Sequence, residues 1–174
     1  TATLSLSFFI ASGIVNWTTL VIPGPQAPTF GPSDANSISR GQIAAIRELE
    51  QLNPEREIVA SNFLCDRPEA LPPDCVDIQF PVAALAGQRM LVEGSSYSVT
   101  DETRILAEDL RRLQHSFSVA PDSENLVRLW DLGVRWLFVD RRRTSVNDWR
   151  PFGEVVVENP DAFIVRLDVP ASVD

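Results

Sequence analysis

The sequence predicts a layered α/β domain: a mixed β-sheet packed by about three helices and ending in a β-hairpin. Three features predict it. Short β-branched, apolar runs alternate with segments whose apolar residues recur every three to four positions, and these are the periods of strand and helix. The most continuous apolar run, "VRWLFVD" at 134–140, follows directly on a helix-like segment that stops at Gly133, which is the order of an α/β unit. The chain then closes with "EVVVENPDAFIVRLDV", two β-rich runs about Asn159-Pro160, and that pattern reads as a hairpin.

Taken in order, residues 1–33 form an uncharged lead, because Asp34 is the first charged side chain. No basic residues precede its apolar stretch, so it does not read as a cleavable signal peptide. Residues 2–22 are long enough to span a bilayer, yet Thr, Ser, Asn and Gly interrupt them. Ala2, Leu4, Leu6 and Phe8 also alternate with Thr1, Thr3, Ser5 and Ser7, which is the strand period. Two readings stay open, the end of a transmembrane helix or a strand added to the sheet. "IPGPQAPTFGPSDANS" at 22–37 is rich in proline and glycine and reads as a linker. The domain proper is placed at 34–174.

Its first helix is capped by Ser37 or Ser39 and runs to about Leu52, with Ile43, Ile46, Leu49 and Leu52 on the inward face. Asn53-Pro54 ends it. "EIVASNF" at 57–63 reads as a buried strand, and further strands are expected at Val76–Phe80 and Arg89–Val92. "DETRILAEDLRRLQHSF" from Asp101 is an amphipathic helix capped by Thr100 or Asp101, expected to bury Ile105, Leu106, Leu110 and Leu113. "DSENLVRLWDLG" supplies another, capped at Asp122 or Ser123 and stopped by a left-handed Gly133. Between the 134–140 strand and the hairpin, "RRRTSVNDWRPFG" reads as a long polar loop.

With 44% hydrophobic and 22% charged residues among 174, the chain is globular rather than disordered. A net charge of −9 argues against a nucleic-acid partner, since a phosphate backbone demands a basic surface. All fifteen basic residues are arginine. The two cysteines, Cys65 and Cys75, flank "DRPEALPPD". A structural zinc site wants four ligands, and the chain's one histidine, His115, is far away in sequence, so no metal is expected. The spacing does not suit a redox pair, which leaves a local disulfide or two free buried thiols. Prolines 68, 72 and 73 stiffen the segment and favour the disulfide, which would contribute roughly 2–3 kcal/mol by loop closure and point to an oxidising, extracytoplasmic location.

Catalytic patterns are thin. "EGSSYS" at 93–98 offers Ser95 and Ser96, and His115 could serve as their base, giving a secreted hydrolase as the alternative reading. A nucleophile elbow, however, sets glycine on both sides of its serine, and His115 lies near a helix end, where it complements the dipole. Asp140 stands at the carboxyl end of a buried strand, where α/β folds hold ligands, although an aspartate at such a place more often caps a turn. Arg141–Arg143 beside it either touch anionic groups or form a solvated, ion-paired loop. No phosphate-cradling glycine loop occurs and no cofactor is expected.

The ordered set from "VASN" at 59–62 through Cys65 and Cys75 to "RMLVEGSSY" at 89–97, then "LWDLGVRWLFVDRR" and "FGEVVVENPDAFIVRL", resembles the C-terminal extracytoplasmic domain of polytopic membrane proteins of actinobacteria. Those proteins are similar to GT-C type glycosyltransferases, which use polyprenyl-phosphate sugars outside the membrane. The resemblance covers about residues 40–168. It implies paired cysteines at Cys65 and Cys75 and a polar cluster at Arg89, Glu93, Gly94 and Tyr97. It also implies a non-catalytic accessory domain, because the catalytic carboxylates of such enzymes lie on loops of the membrane half. The expected partners are its own transmembrane domain and a carbohydrate or polyprenyl-linked glycan at the membrane surface. Asn62, Arg89, Glu93 and Tyr97 are the candidate binding residues, since amide, guanidinium, carboxylate and phenol all hydrogen-bond sugar hydroxyls. A buried Arg89–Glu93 pair that fixes strand ends is the structural alternative.

Overall fold

In the computed structural model, residues 38–64, 81–93 and 100–169 are described below. They form a mixed α/β domain with four strands in one sheet, ordered β1 (Ile58–Ser61), β2 (Val134–Asp140), β4 (Ala162–Leu167), β3 (Gly153–Glu158). β1 and β2 run parallel, whereas β2–β4 and β4–β3 are antiparallel, the last pair being the predicted hairpin. Four helices accompany it: α1 (Arg40–Leu52), α2 (Pro81–Ala86), α3 (Asp101–Val119) and α4 (Ser123–Asp131).

Helices cover both faces of the sheet. On one face α1 and α2 bury Ala45, Ile46, Leu49, Val82 and Ala86 against Val59, Trp136, Phe138 and Ile164. On the other, Leu113 and Phe117 of α3 and Leu126 and Leu129 of α4 meet Ala60, Leu137, Val139, Phe163 and Val165. Because β2 and β4 are buried on both sides, their sequences are nearly continuous apolar runs. The register shift between Val155 and Val157 turns Val156 and Val157 together toward the α1 face and leaves Val155 on the other.

Each helix start has a local cause. Ser39 and Gln42 form a reciprocal capping box on α1, which "S-x-x-Q" spells in sequence. Thr100 caps α3 through Thr103, and Asp122 caps α4 through the Asn125 N–H. Gly133 ends the α4 segment at φ +84°, and a Cβ there would press on Ile58, so the predicted left-handed stop is present. The hairpin turn also clasps the start of α1. Asp161 accepts from Ser39 Oγ at 2.7 Å and from the Gly41 N–H at 3.2 Å, and Asn159 Nδ2 donates to the Gly41 carbonyl. A carboxylate in that position also offsets the positive end of the helix dipole.

Several expectations change. Leu52 is exposed. Ile105 and Leu106, expected in the core, are 57% and 59% exposed, because α3 meets the sheet only from Ala107 onward. Its buried stripe is Ala107, Arg111, Gln114 and Ser118 with Leu113 and Phe117, so polar residues hold positions that periodicity assigns to apolar ones. The "RRRTSVNDWRPFG" loop contains two 3₁₀ turns, Arg141–Arg143 and Arg150–Phe152, and buries Trp149 against Phe117 with ring centroids 6.0 Å apart. Arg89–Val92 contributes one parallel bridge, Met90 to Val59, rather than a strand. The expected Val76–Phe80 strand, the lead at 1–33, and Cys65 and Cys75 lie outside the described residues. Among the described residues no helix is long and apolar enough to cross a membrane.

Candidate functional site

β1 and β2 are parallel, so their carboxyl ends lie side by side, the position at which α/β sheets hold ligands. Here side-chain amides replace the backbone ladder on both flanks of β1. Toward β2, Asn62 Nδ2 donates to the Asp140 carbonyl at 2.9 Å and Asn62 Oδ1 accepts the Asp140 N–H at 2.7 Å. Toward the Met90 segment, the Ser61 N–H donates to Gln114 Oε1 and Gln114 Nε2 donates to the Val92 carbonyl, both at 3.0 Å. Each amide imitates a peptide group. It continues the bonding between strand ends past the last ladder pairs, where the Asn62 N–H still donates to the Phe138 carbonyl at 3.4 Å.

Asp140, fully buried, is the charged centre of this edge. Its Oδ1 accepts from the backbone N–H of Arg142 at 3.0 Å and from Arg142 Nε at 3.1 Å. Its Oδ2 accepts from Arg142 Nη2 at 3.0 Å and from Arg143 Nε at 3.1 Å. The Arg143 guanidinium lies 4.3 Å from the centre of the Phe63 ring, a cation–π contact that favours charge in a desolvated place. Arg142 Nη2 also donates to Gln42 Oε1 at 3.2 Å, which ties the cluster to the first turn of α1. Two donors fix that oxygen, and Gln42 Nε2 is a buried donor without a hydrogen-bond partner among the described residues. On the α3 side, Arg111 Nη2 donates to the Leu64 carbonyl at 2.6 Å, which explains a buried arginine in the helix stripe.

Glu93 follows Val92 at the same edge and is 5% exposed. Its carboxylate accepts the N–H groups of Val82 and Ala83 at 3.0 and 3.2 Å, so it caps α2 from eleven residues downstream. Burial pushes its pKa up to about 7, and the two N–H groups only partly oppose this. Arg89 points its side chain to solvent while its carbonyl accepts the Val59 N–H at 2.8 Å. No ion pair joins Arg89 to Glu93 among the described residues, so Glu93 is held by backbone rather than by a guanidinium. Tyr97, Ser95 and Ser96 lie outside the described residues. His115 is half-buried on α3, and desolvation lowers its pKa, which favours the neutral imidazole. Among the described residues no three His, Cys, Asp or Glu side chains converge as metal ligands would.

The structure therefore brings Asn62 to Asp140 and sets the Glu93 carboxylate against the start of α2, but leaves Arg89 apart from both. Sequence reading passed over Gln42, Arg111 and Gln114. Only Gln42 had a usable signal, the capping-box spacing from Ser39. The fold and site define a mixed α/β domain whose parallel-strand edge is closed by side chains bonded to its own backbone. Comparison with protein-family models, curated proteins and solved structures finds no match to this chain.

Glu93 carries a pH prediction. Its folded-state pKa lies above the ordinary 4.5 of a free carboxyl, so the fold prefers the neutral acid. That contribution is complete below about pH 4.5 and is lost as pH rises through about 7. The shift corresponds to about 3 kcal/mol. In urea unfolding from acid to neutral pH, the stability difference between wild type and Glu93→Gln should move by about this amount in favour of the variant. A difference that stays constant over that range would refute the buried, proton-preferring carboxyl.

Proposed function

We propose that the chain is a non-catalytic accessory domain on the extracytoplasmic face of a multi-spanning membrane protein, one similar to the polyprenyl-phosphate-sugar-dependent glycosyltransferases. It would support binding of an acceptor or partner next to its own transmembrane part. The observation that carries this reading is how the carboxyl edge is used. Asp140 accepts four hydrogen bonds from Arg142 and Arg143, and the Asn62 amide is spent on the Asp140 backbone. At the position where an α/β enzyme would hold its substrate, these side chains hold the fold. Two features shared with the resembling domains also have structural jobs: Glu93 caps α2, and the "LGVRW" step turns a helix into the central strand.

Topology reporters test the reading. Fused to the carboxyl end of the protein in its natural membrane context, alkaline phosphatase should be active and a green fluorescent reporter dark, with both fusions sedimenting with membranes. Under non-reducing conditions, mass measurement should find Cys65 and Cys75 oxidised. A fluorescent fusion in the soluble fraction, or two free thiols, would overturn the extracytoplasmic placement. Ester hydrolysis by the purified chain that disappears in His115→Ala would instead establish the hydrolase.

A further inference from the structure

A polar cavity of about 200 Å³ opens near the amino ends of β1 and β2, at the opposite end of the parallel strands from the edge described above. Glu55, Glu57, Trp136 and Arg166 line it, with Leu52 and Pro54 at the close of α1. Glu57 is built into place. Buried Asn53 accepts the Glu57 N–H at 3.0 Å and donates to the Glu57 carbonyl at 2.9 Å. The buried Trp136 indole N–H donates to Glu57 Oε2 at 2.9 Å. That bond satisfies the indole with one oxygen, and among the described residues nothing donates to the other.

Arg166 supplies the opposite sign. In the ladder it stands between Trp136 and Glu154, and a cross-strand glutamate is a natural partner for such an arginine. Among the described residues it makes no ion pair with Glu154; its guanidinium instead lies over the Trp136 ring, 5.8 Å from its centre. One indole therefore has a carboxylate at its N–H and a guanidinium over its face, with no direct bond between the two charges. The end of α1 adds to the negative side. Its last turn has no basic residue, so the negative end of the helix dipole is left unanswered beside Glu55 and Glu57.

A simple cation in this cavity would face Arg166, and a simple anion would face two carboxylates. A molecule with both charges a few bonds apart meets each wall with the opposite sign, and Leu52 and Pro54 offer its remainder an apolar wall. We propose that the cavity binds a small zwitterion, an α-amino acid with an apolar side chain. Its ammonium group donates to Glu57 Oε1 and Glu55, its carboxylate accepts from Arg166, and its side chain lies on Leu52 and Pro54. This site does not depend on the accessory-domain reading.

Titration of the chain with free L-leucine tests it, followed by NMR at the Trp136 indole N–H, with thermal melts to show that each variant is folded. The indole resonance should shift saturably at ligand concentrations up to about 10 mM. N-acetyl-L-leucine, which lacks the ammonium, and L-leucinamide, which lacks the carboxylate, should each bind at least roughly tenfold more weakly. Glu57→Gln, which keeps an acceptor for the indole, and Arg166→Gln should each cause a similar loss. A resonance that does not shift overturns the proposal. So does equal binding of either blocked analogue, or wild-type affinity in folded Glu57→Gln or Arg166→Gln.

Discussion

Asp140→Ala is expected to destabilise the domain by about 3–5 kcal/mol, the usual effect of removing one partner from a buried ion pair. Arg143 explains the size. Its side chain is only 3% exposed, and its Nε donates to the Asp140 carboxylate. Without that carboxylate Arg143 loses its Asp140 bond in a largely desolvated place beside Phe63, and Arg142 loses a bond that positions it against Gln42. A second variant separates the charge from the shape. Asp140→Ala combined with Arg143→Met removes the carboxylate and the more deeply buried of its two guanidinium partners and leaves an unbranched apolar chain over the Phe63 ring, so it should recover part of the loss. Urea unfolding of wild type, single and double variants measures the effect. A loss below about 1 kcal/mol in the single variant would show that the pair is not desolvated as its burial indicates.

Gly153→Ala should destabilise by about 3 kcal/mol, at the upper end of overpacking effects. Gly153 opens β3 opposite Leu167, and its extended backbone suits any residue. The obstacle is space. A Cβ at this position would overlap the carbonyl oxygen of Arg166 and crowd the Cα of Leu167. Because both obstacles are backbone, no rotamer change relieves them, and the hairpin must open at that end. Hydrogen exchange should accordingly accelerate first at the Asp168 N–H, which donates to the Phe152 carbonyl beside the clash. Unchanged stability in Gly153→Ala would mean that the β3–β4 ladder shifts register without penalty.

The hairpin was legible in sequence for the same reason that it is stable. Apolar runs on either side of Asn159-Pro160 need only each other and a turn, and Asn159 closes that turn by accepting the N–H groups of Asp161 and Ala162. The central strand was equally legible, since "VRWLFVD" is apolar on both faces and Gly133 marks where the helix before it stops. The helix α3 was legible as a helix but not in its orientation. Periodicity sees apolar side chains, so it selected Ile105 and Leu106 and passed over Arg111 and Gln114. Those two are inside because they reach backbone groups at Leu64, Ser61 and Val92, a reason that no pattern within the helix contains. Trp149 was hidden similarly: a polar loop carries it, and its burial rests on Phe117 and the rest of the core on that face of the sheet, which come from elsewhere in the chain.

The candidate site divides along the same line. Asn62, Arg89, Glu93 and Tyr97 were named from the resemblance and from their hydrogen-bonding groups, and Asp140 was noted at a strand's carboxyl end. Asn62, Glu93 and Asp140 sit at the carboxyl edge of the parallel strands, Arg89 is exposed, and Tyr97 lies outside the described residues. The Asp140 carboxylate is held by Arg142 and Arg143, two and three residues on, but the other bonds of the edge come from far away in sequence. Asn62 meets Asp140 across 78 positions, and Gln42 meets Arg142 across 100. By itself the sequence determined the α/β class, the starts of α1, α3 and α4 to within a residue or two, the central strand and the closing hairpin, because each follows from interactions within a few residues. The tertiary structure alone decided which polar side chains are buried and what satisfies them. A buried amide or carboxylate is stable only beside a matching group, and the fold, not the neighbouring sequence, delivers that group.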